Sequence, residues 1–304
     1  MAEIIQPTDE EIQRNIKKWD IPMPQQDYMV VVQCSTYNHK EYIEDALKGF
    51  VMQNTDFPFC VLVTDDCSTD GTADVIKKYA VKYSTIIIPI LLGENHMQHK
   101  KSRDPYIGPW HNRAKYLAIC EGDDYWIDPL KLQKQVDLME SRPDYSQCFT
   151  AHCCEYPDGK KIEEHRYSNN VVDCSIKDAI LMGGGYMASP SVMYKKELRD
   201  NLPDWYKNLP VGDLPTMLVL FERGKCGYIN DVTAVYRVSA KSSWSNTMKA
   251  DYSKKMHLYS SIKKMWKDYD VWTNKKYHKW VRIKIMRNNI SMLHDKLRHF
   301  IKKK

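Results

Sequence analysis

Residues 28–53 read YMVVVQCSTYNHKEYIEDALKGFVMQ. The first eight residues form a nearly unbroken apolar, β-branched run. Such a run fits a strand buried on both faces of a parallel sheet better than a half-exposed, alternating one. From Glu41 the apolar residues recur three and four apart, which predicts an amphipathic helix over 41–53. The pattern then repeats. FCVLVT (59–64) reads as a second strand, TADVIKKYAVKY (72–83) as a helix behind the Asp70-Gly71 turn signal, TIIIPILL (85–92) as a third strand and KYLAIC (115–120) as a fourth. Strand–helix alternation of this kind requires right-handed crossovers and a doubly wound, mainly parallel α/β sheet.

Further along, LLGENHMQHKKSRDPYIGPWHN (91–112) is polar, with Gly and Pro, and reads as a long loop beside the sheet's carboxyl edge. DPLKLQKQVDLME (128–140) reads as a helix with Asp128 as N-cap and Pro129 at its first position. Residues 145–245 have an α+β pattern. Short strands around QCFTAHCCEY and YMASPSVMYKK flank a turn at Pro157-Asp158-Gly159 and a helix near 175–182. Gly183-Gly184-Gly185 reads as a tight turn. VGDLPTMLVLFERG (211–224) reads as a helix ended by Gly224, and GYINDVTAVYRVS (227–239) as a strand. From about residue 249 the chain is helical again, with Trp280, Ile283, Met286, Ile290, Leu293, Leu297 and Phe300 three or four apart. Three parts follow: a helical extension (1–27), a main domain (28–245, divided into 28–142 and 143–245) and a basic amphipathic tail (246–304).

The bulk properties bound the function classes. No apolar stretch approaches the roughly 20 residues of a spanning helix. The polar N-terminal segment lacks the apolar core of a secretory signal, so the expected location is the cytoplasm. Nine cysteines, an odd number at irregular spacing, do not make a disulfide framework. Cys148, Cys153, Cys154 and Cys174 lack the paired spacing of a zinc site and read as ordinary thiols. From Lys249 to Lys304 there are 17 Lys and Arg against 4 Asp, a net of +13; the whole chain carries +6, which leaves −7 over residues 1–248.

Open α/β sheets bind ligands where the strands end. Three strand ends here carry polar chemistry: Ser35, Thr36, Tyr37 and Asn38 after the first, Asp65 and Asp66 after the second, and Glu121, Asp123 and Asp124 after the fourth. Any one cluster could be a capped turn. Three on one edge call for a shared positive partner, and a hard divalent cation with a diphosphate would supply it. Asp123 or Asp124 would touch the metal while its neighbour accepts from a ribose hydroxyl. Neither GxxxxGK[ST] nor GxGxxG is present, so the metal and loop cations such as Lys100, Lys101, Arg103 or Arg113 would meet the phosphates.

The ordered set CSTYNHKEYIEDAL, VTDDCSTDGT, AKYLAICEGDDYWIDPLKLQKQVDLME, VGDLPTMLVL and AVYRVSAKSSWS resembles family 2 glycosyltransferases of the GT-A fold over about Tyr28–Ser245. The resemblance implies an inverting, metal-dependent enzyme (Mn²⁺ or Mg²⁺) that uses a nucleotide-activated sugar, often UDP-linked. By that resemblance Ser35 and Tyr37 line the nucleoside pocket and Asp66 accepts a hydrogen bond from the base. Asp123 and Asp124 stand at the DxD-type position for ribose and metal, and Glu121 takes the place of the leading acid. Asp213 matches the catalytic base. Glu121, Arg113 and Trp126 are candidates for sugar or diphosphate contacts, and Tyr125, Trp205 and Trp244 are aromatic residues to weigh between stacking and core. One departure is Tyr236-Arg237-Val238-Ser239, where relatives often carry YRxH.

The implied function is transfer of a sugar from a nucleoside-diphosphate donor, UDP favoured, to a glycan or lipid-linked hydroxyl. The alternative is a nucleotide- or glycan-binding protein of the same fold without activity. The basic tail could lie on an anionic membrane surface or pack on the domain with its charged face in water. Nucleic acid is not an expected partner. The location is then cytoplasmic, with attachment to the inner membrane face if the tail binds lipid.

Overall fold

The computed structural model describes residues 4–157, 161–206, 209, 211–240, 248 and 251–302. Four parallel strands build one side of the sheet: β1 (Tyr28–Thr36), β2 (Phe59–Asp65), β3 (Ile87–Leu91) and β4 (Ala114–Ile119). Their order is β3-β2-β1-β4, so the chain reverses direction of travel between β1 and β4. Every residue of β2 is buried, as an unbroken apolar run demands. Helices α2 (Ile43–Val51) and α3 (Thr72–Lys82) cover one face. The sheet continues through β9 (Val192–Lys195), antiparallel to both its neighbours, into the parallel pair β6 (Tyr145–Glu155) and β10 (Lys225–Arg237). The two-residue strand β5 (Tyr125–Trp126) closes that edge against β10, while β7 (Lys161–His165) and β8 (Val172–Asp173) pair with β6 and β10. The expected doubly wound sheet and its α+β continuation are both present.

The 91–112 segment is not a plain loop. It carries α4 (His96–His99) and α5 (Asp104–His111). Tyr106, Ile107 and Trp110 of α5 enter the core on the second face of the sheet, against Tyr28, Val31, Leu62 and Leu117. Burial of that apolar face outweighs the weak helix propensity of a segment with Gly108 and Pro109. The N-terminal helix α1 (Asp9–Trp19) holds this segment down. Asn15 donates to the Tyr106 hydroxyl at 3.0 Å, Lys101 pairs with Glu11 at 3.0 Å, and Trp19 packs edge-on to His96. A Cβ on Gly93 would stand 2.0 Å from Trp19 Nε1, so only glycine lets the two pieces close.

Helix α6 runs Lys131–Ser141, three residues later than expected. Asp128 does not cap it. Its carboxylate accepts from Leu130 N at 2.8 Å and from Lys134 Nζ at 2.7 Å, in a turn before the helix. Helix α8 (Asp213–Phe221) stops before Gly224, which is pressed 2.9 Å (as a hypothetical Cβ) from Asp144 O and Ser146 Cβ. Gly183–Tyr186 is a single tight turn after α7 (Ile176–Met182). Trp244 and the Asp158-Gly159 turn lie outside the described residues.

The last two helices, α9 (Tyr252–Trp272) and α10 (His278–Lys302), are packed on the body of the protein. Met265, Trp266, Tyr269 and Val281 share a core with Phe149, Met217, Leu218 and Tyr228.

Lys131 is completely buried. Its ammonium sits 4.4 Å from the Trp126 ring centroid and donates to Gln135 Oε1. Burial pulls it down to about 8. Between pH 8 and the ordinary lysine range near 10.5 the native chain therefore binds fewer protons than the unfolded one. Stability should rise across that window by up to about 3 kcal/mol, an order-of-magnitude figure. Denaturant titrations at several pH values should show this slope in the natural protein and lose it in Lys131→Met; an equal slope in both would place the ammonium in water.

Candidate active site

The loops after β1 and β2 are laced together by their own side chains. Asn38, in a left-handed conformation (φ 54°), donates its N–H to Ser68 Oγ at 2.8 Å and accepts from Thr69 N at 2.9 Å. His39 N donates to Thr72 Oγ1, and Lys40 N to Asp70 Oδ2. Asp65 accepts from Ser68 N. This network leaves Tyr37 standing 39% exposed at the mouth of the crevice, with Ser35 half-buried behind it.

The acid turn sits directly on that floor. Gly122 N donates to Ser35 O at 2.9 Å. A Cβ on Gly122 would meet Thr36 Cβ and Oγ1 at 2.8 Å and His39 Nδ1 at 3.1 Å, so a side chain would lift the turn. Thr36 Oγ1 and His39 Nδ1 have no hydrogen-bond partner among the described residues, and both residues are buried. Such atoms are costly to bury alone, and their position beneath the acid turn marks the floor of a polar crevice.

The three acids of the turn have different fates. Asp124 is buried, and its Oδ1 accepts from Arg237 N at 2.8 Å. Burial, with the charge of Asp123 beside it, pushes its carboxyl well up. Through Oδ1 it fastens the turn to β10. Asp123 and Glu121 remain half-buried at the mouth. Glu121 is pushed up to about 7, first by burial and then by the negative charge of Asp123; Asp213 adds to the rise and Arg103 opposes it. Glu121 thus feels Asp123, Arg103 and Asp213 at once.

Asp213 is exposed at the first turn of α8, with Gly212 rather than itself in the cap position. Its carboxylate is therefore not used up in capping, and the positive end of the helix faces it. Arg103 stands at the cap position of α5, half-buried. Oxygen donors at the mouth, crowded enough to raise the proton affinity of Glu121, suit a hard divalent cation whose remaining ligands are waters and phosphates. Among the described residues no group of three His, Cys, Asp or Glu closes into a full cage. Such a cation would therefore be held by one or two carboxylates and its ligand.

Arg237 organises this turn from 113 residues away. Its guanidinium donates to Asp123 O at 3.2 Å, pairs with Glu155 at 3.3 Å and Asp45 at 2.5 Å, and lies over the rings of Tyr125 and Tyr42. In the sequence Arg237 stands only within the Tyr236–Ser239 motif, and its distance along the chain hides its tie to the acid turn.

Three more expected site residues are tied into their surroundings. Asp66 is buried, and its oxygens accept from His96 N at 2.8 Å and Met97 N at 3.0 Å. It anchors α4. Arg113 immediately precedes β4, at the opposite end of the sheet, paired with Asp27 at 3.1 Å. It cannot reach a phosphate at the carboxyl edge. Trp126 is 2% exposed, donates to Pro190 O at 2.8 Å and packs edge-on to Phe50 at 5.0 Å. It is core, not a sugar platform. Tyr125 is likewise buried and donates to Glu155. Trp205 packs against Tyr206, Tyr269 and Trp272.

A mainly parallel open sheet with acids, a half-buried arginine and an exposed tyrosine at its switch point defines a GT-A-like fold. Solved structures share that fold. TarS of S. aureus, in complex with UDP-GlcNAc, matches at TM-score 0.57 and 17% identity, over 78% of this chain and 65% of that one. The mannosyltransferase PcManGT of Pyrobaculum calidifontis, in complex with GDP-Man and Mn²⁺, matches at TM-score 0.53 and 15% identity, over 93% and 81%. The chain belongs to the glycosyl transferase family 2, whose model matches residues 32–199. An uncharacterised Mycobacterium tuberculosis protein is 37% identical over 220 residues, 71% of this chain but 60% of its own length. The chain thus spans about 60% of the length of the mycobacterial relatives it matches. The putative teichuronic acid biosynthesis glycosyltransferase TuaG of Bacillus subtilis is 28% identical, over 78% of this chain and 89% of its own.

Proposed function

We propose that this protein transfers a sugar, with inversion, from a nucleoside-diphosphate donor to a hydroxyl of a glycan or lipid-linked acceptor, with UDP-sugars as the favoured donors. The carrying observation is that Glu121, with Asp123 beside it after β4, lies within electrostatic reach of both Arg103 and Asp213 at the β1/β4 switch point. The nucleotide-sugar complexes of TarS and PcManGT support such a donor here.

The roles divide by position. Tyr37 offers an exposed ring against which a base can stack, and Ser35 lines the same pocket. Asp123, with Glu121 beside it, would hold Mn²⁺ or Mg²⁺ and a ribose hydroxyl. When bound, the cation offsets charge on the departing diphosphate. Arg103 contributes a fixed positive charge on the same side. Asp213, exposed on the half that follows β6, takes the proton from the acceptor hydroxyl. The division into a donor half, 28–142, and an acceptor half, 143–245, is part of this proposal.

A panel of nucleotide sugars, screened by thermal shift with and without Mn²⁺, tests the reading. A matching donor at 100 times its Kd should stabilise the protein by about 2.7 kcal/mol. The gain should require the cation and vanish in Asp123→Asn. Equal shifts without metal, or with none of the donors, would remove the nucleotide-sugar assignment.

A further inference from the structure

Helix α10 has two distinct faces. The inner face is bound to the protein. Val281 is buried in the shared core, Asn288 donates to Tyr259 O at 3.1 Å, Asp295 pairs with Lys255 at 2.7 Å, and Lys284 donates to Leu181 O at 3.1 Å. The outer face is apolar and open to solvent: Met286, Ile290, Leu293, Leu297 and Ile301 are 54–70% exposed. At 100° per residue these five fall within an arc of about 80°, a stripe roughly 22 Å long. Basic residues line both shoulders, with Arg282 and Lys296 on one side and Arg287 and Arg298 on the other, all exposed. Along the whole helix seven Lys and Arg face a single acid, Asp295, which is turned inward to Lys255 and Tyr259.

We infer that this outer face docks on an anionic lipid bilayer, with the stripe in the headgroup boundary and the shoulder cations on phosphates. Charge selects the occupant. A second copy of the chain packed along the same stripe would set arginine and lysine against arginine and lysine, whereas a sheet of lipid phosphates complements both shoulders at once. The helix lies on the surface rather than through it: no described helix is long and apolar enough to cross a membrane. Because the inner face is clamped, the docking face is rigid relative to the sheet. It is also near the acceptor side, since α10 packs on α7, and α7 on α8, the helix that starts with Asp213. The use of this face, bringing Asp213 to a lipid-linked acceptor, rests on the transferase reading; the docking itself does not.

The sequence expectation spread this role over residues 249–304. The structure confines it to one face of α10, because α9 and the start of α10 complete the core. Truncating the tail would therefore expose Phe149 and Tyr228 and report unfolding, so surface substitutions are the proper probe. In flotation of the full chain, binding should appear on vesicles rich in phosphatidylglycerol and not on pure phosphatidylcholine, and should fall with salt. The triple variant Ile290→Ser, Leu293→Ser, Leu297→Ser should lose at least about tenfold in partition, and so should Arg287→Glu, Lys296→Glu, Arg298→Glu. Melting temperature and Mn²⁺-dependent nucleotide-sugar stabilisation should not move in either variant. Equal partition of the natural protein and the serine variant would overturn the inference. So would a solution dimer, by light scattering, that the serine variant dissolves, since the stripe would then belong to a second copy. Flotation reads lipid binding without turnover, so its failure leaves the transferase reading intact, and loss of nucleotide binding leaves the docking intact.

Discussion

Replacing Asp213 with Asn is expected to lower kcat by about 10²–10⁴-fold, the range of a positioned carboxylate base. The substitution keeps shape and removes the proton acceptor. Asp213 is exposed and is not the cap of α8, so the fold should stand. Donor affinity should change little, or rise slightly, because Asp213 adds to the negative field around Glu121. The decisive comparison is single-turnover transfer against the Kd of a UDP-sugar with Mn²⁺. Undiminished transfer would take the base role away from this residue. A natural protein that binds donor and turns over no acceptor, in the same assays, would instead match the inactive binding-protein alternative.

The second large effect should come from Arg237→Leu. The guanidinium is the common partner of Asp45, Glu155 and the Asp123 carbonyl, and it lies between two tyrosine rings. Removing it leaves carboxylates without their counter-charge and loosens the acid turn. Breaking a buried pair costs about 3–5 kcal/mol; the partial exposure of Asp45 and Glu155 discounts this to roughly 2–4 kcal/mol. Stability loss alone would show only that the site is well packed. The positioning role predicts more: affinity for Mn²⁺ in the presence of UDP should fall by about 10–100-fold, as for residues that orient a metal's ligands. Arg237→Lys, which keeps charge but not the planar fork, should recover stability better than affinity. A variant that melts early yet binds metal normally would reduce Arg237 to a structural bolt.

Strands β1 to β4 were legible in the sequence because burial on both faces of a parallel sheet leaves only one composition available. β1 to β4 match the apolar runs to within two or three residues. Helices α4 and α5 were not legible. Pro105, Gly108 and Pro109 read as loop, and only packing under α1 makes a helix of them. The acid turn shows the same division. That Glu121, Asp123 and Asp124 belonged to one site followed from their place after a buried strand. Which of them faced solvent did not, because adjacent side chains outside a helix diverge, and one of the pair had to turn inward to β10. Arg103 was one of four loop cations, of which the sequence favoured Arg113; the fold sent Arg113 to the far end of the sheet and tied Lys101 to Glu11 and Glu94. Asp66 misled for a different reason. Its motif fits a base contact, and the two bonds by which it also anchors the short helix after β3 could not be read from that motif.

The shared core beneath the last helices bears on how such proteins can be recombined. Trp266 and Tyr269 are fully buried among residues of β6, α8 and β10. Grafting a foreign tail onto this sheet would leave a hole the size of two aromatic rings. A chimera that respects the architecture must exchange α9 and α10 together with their seat.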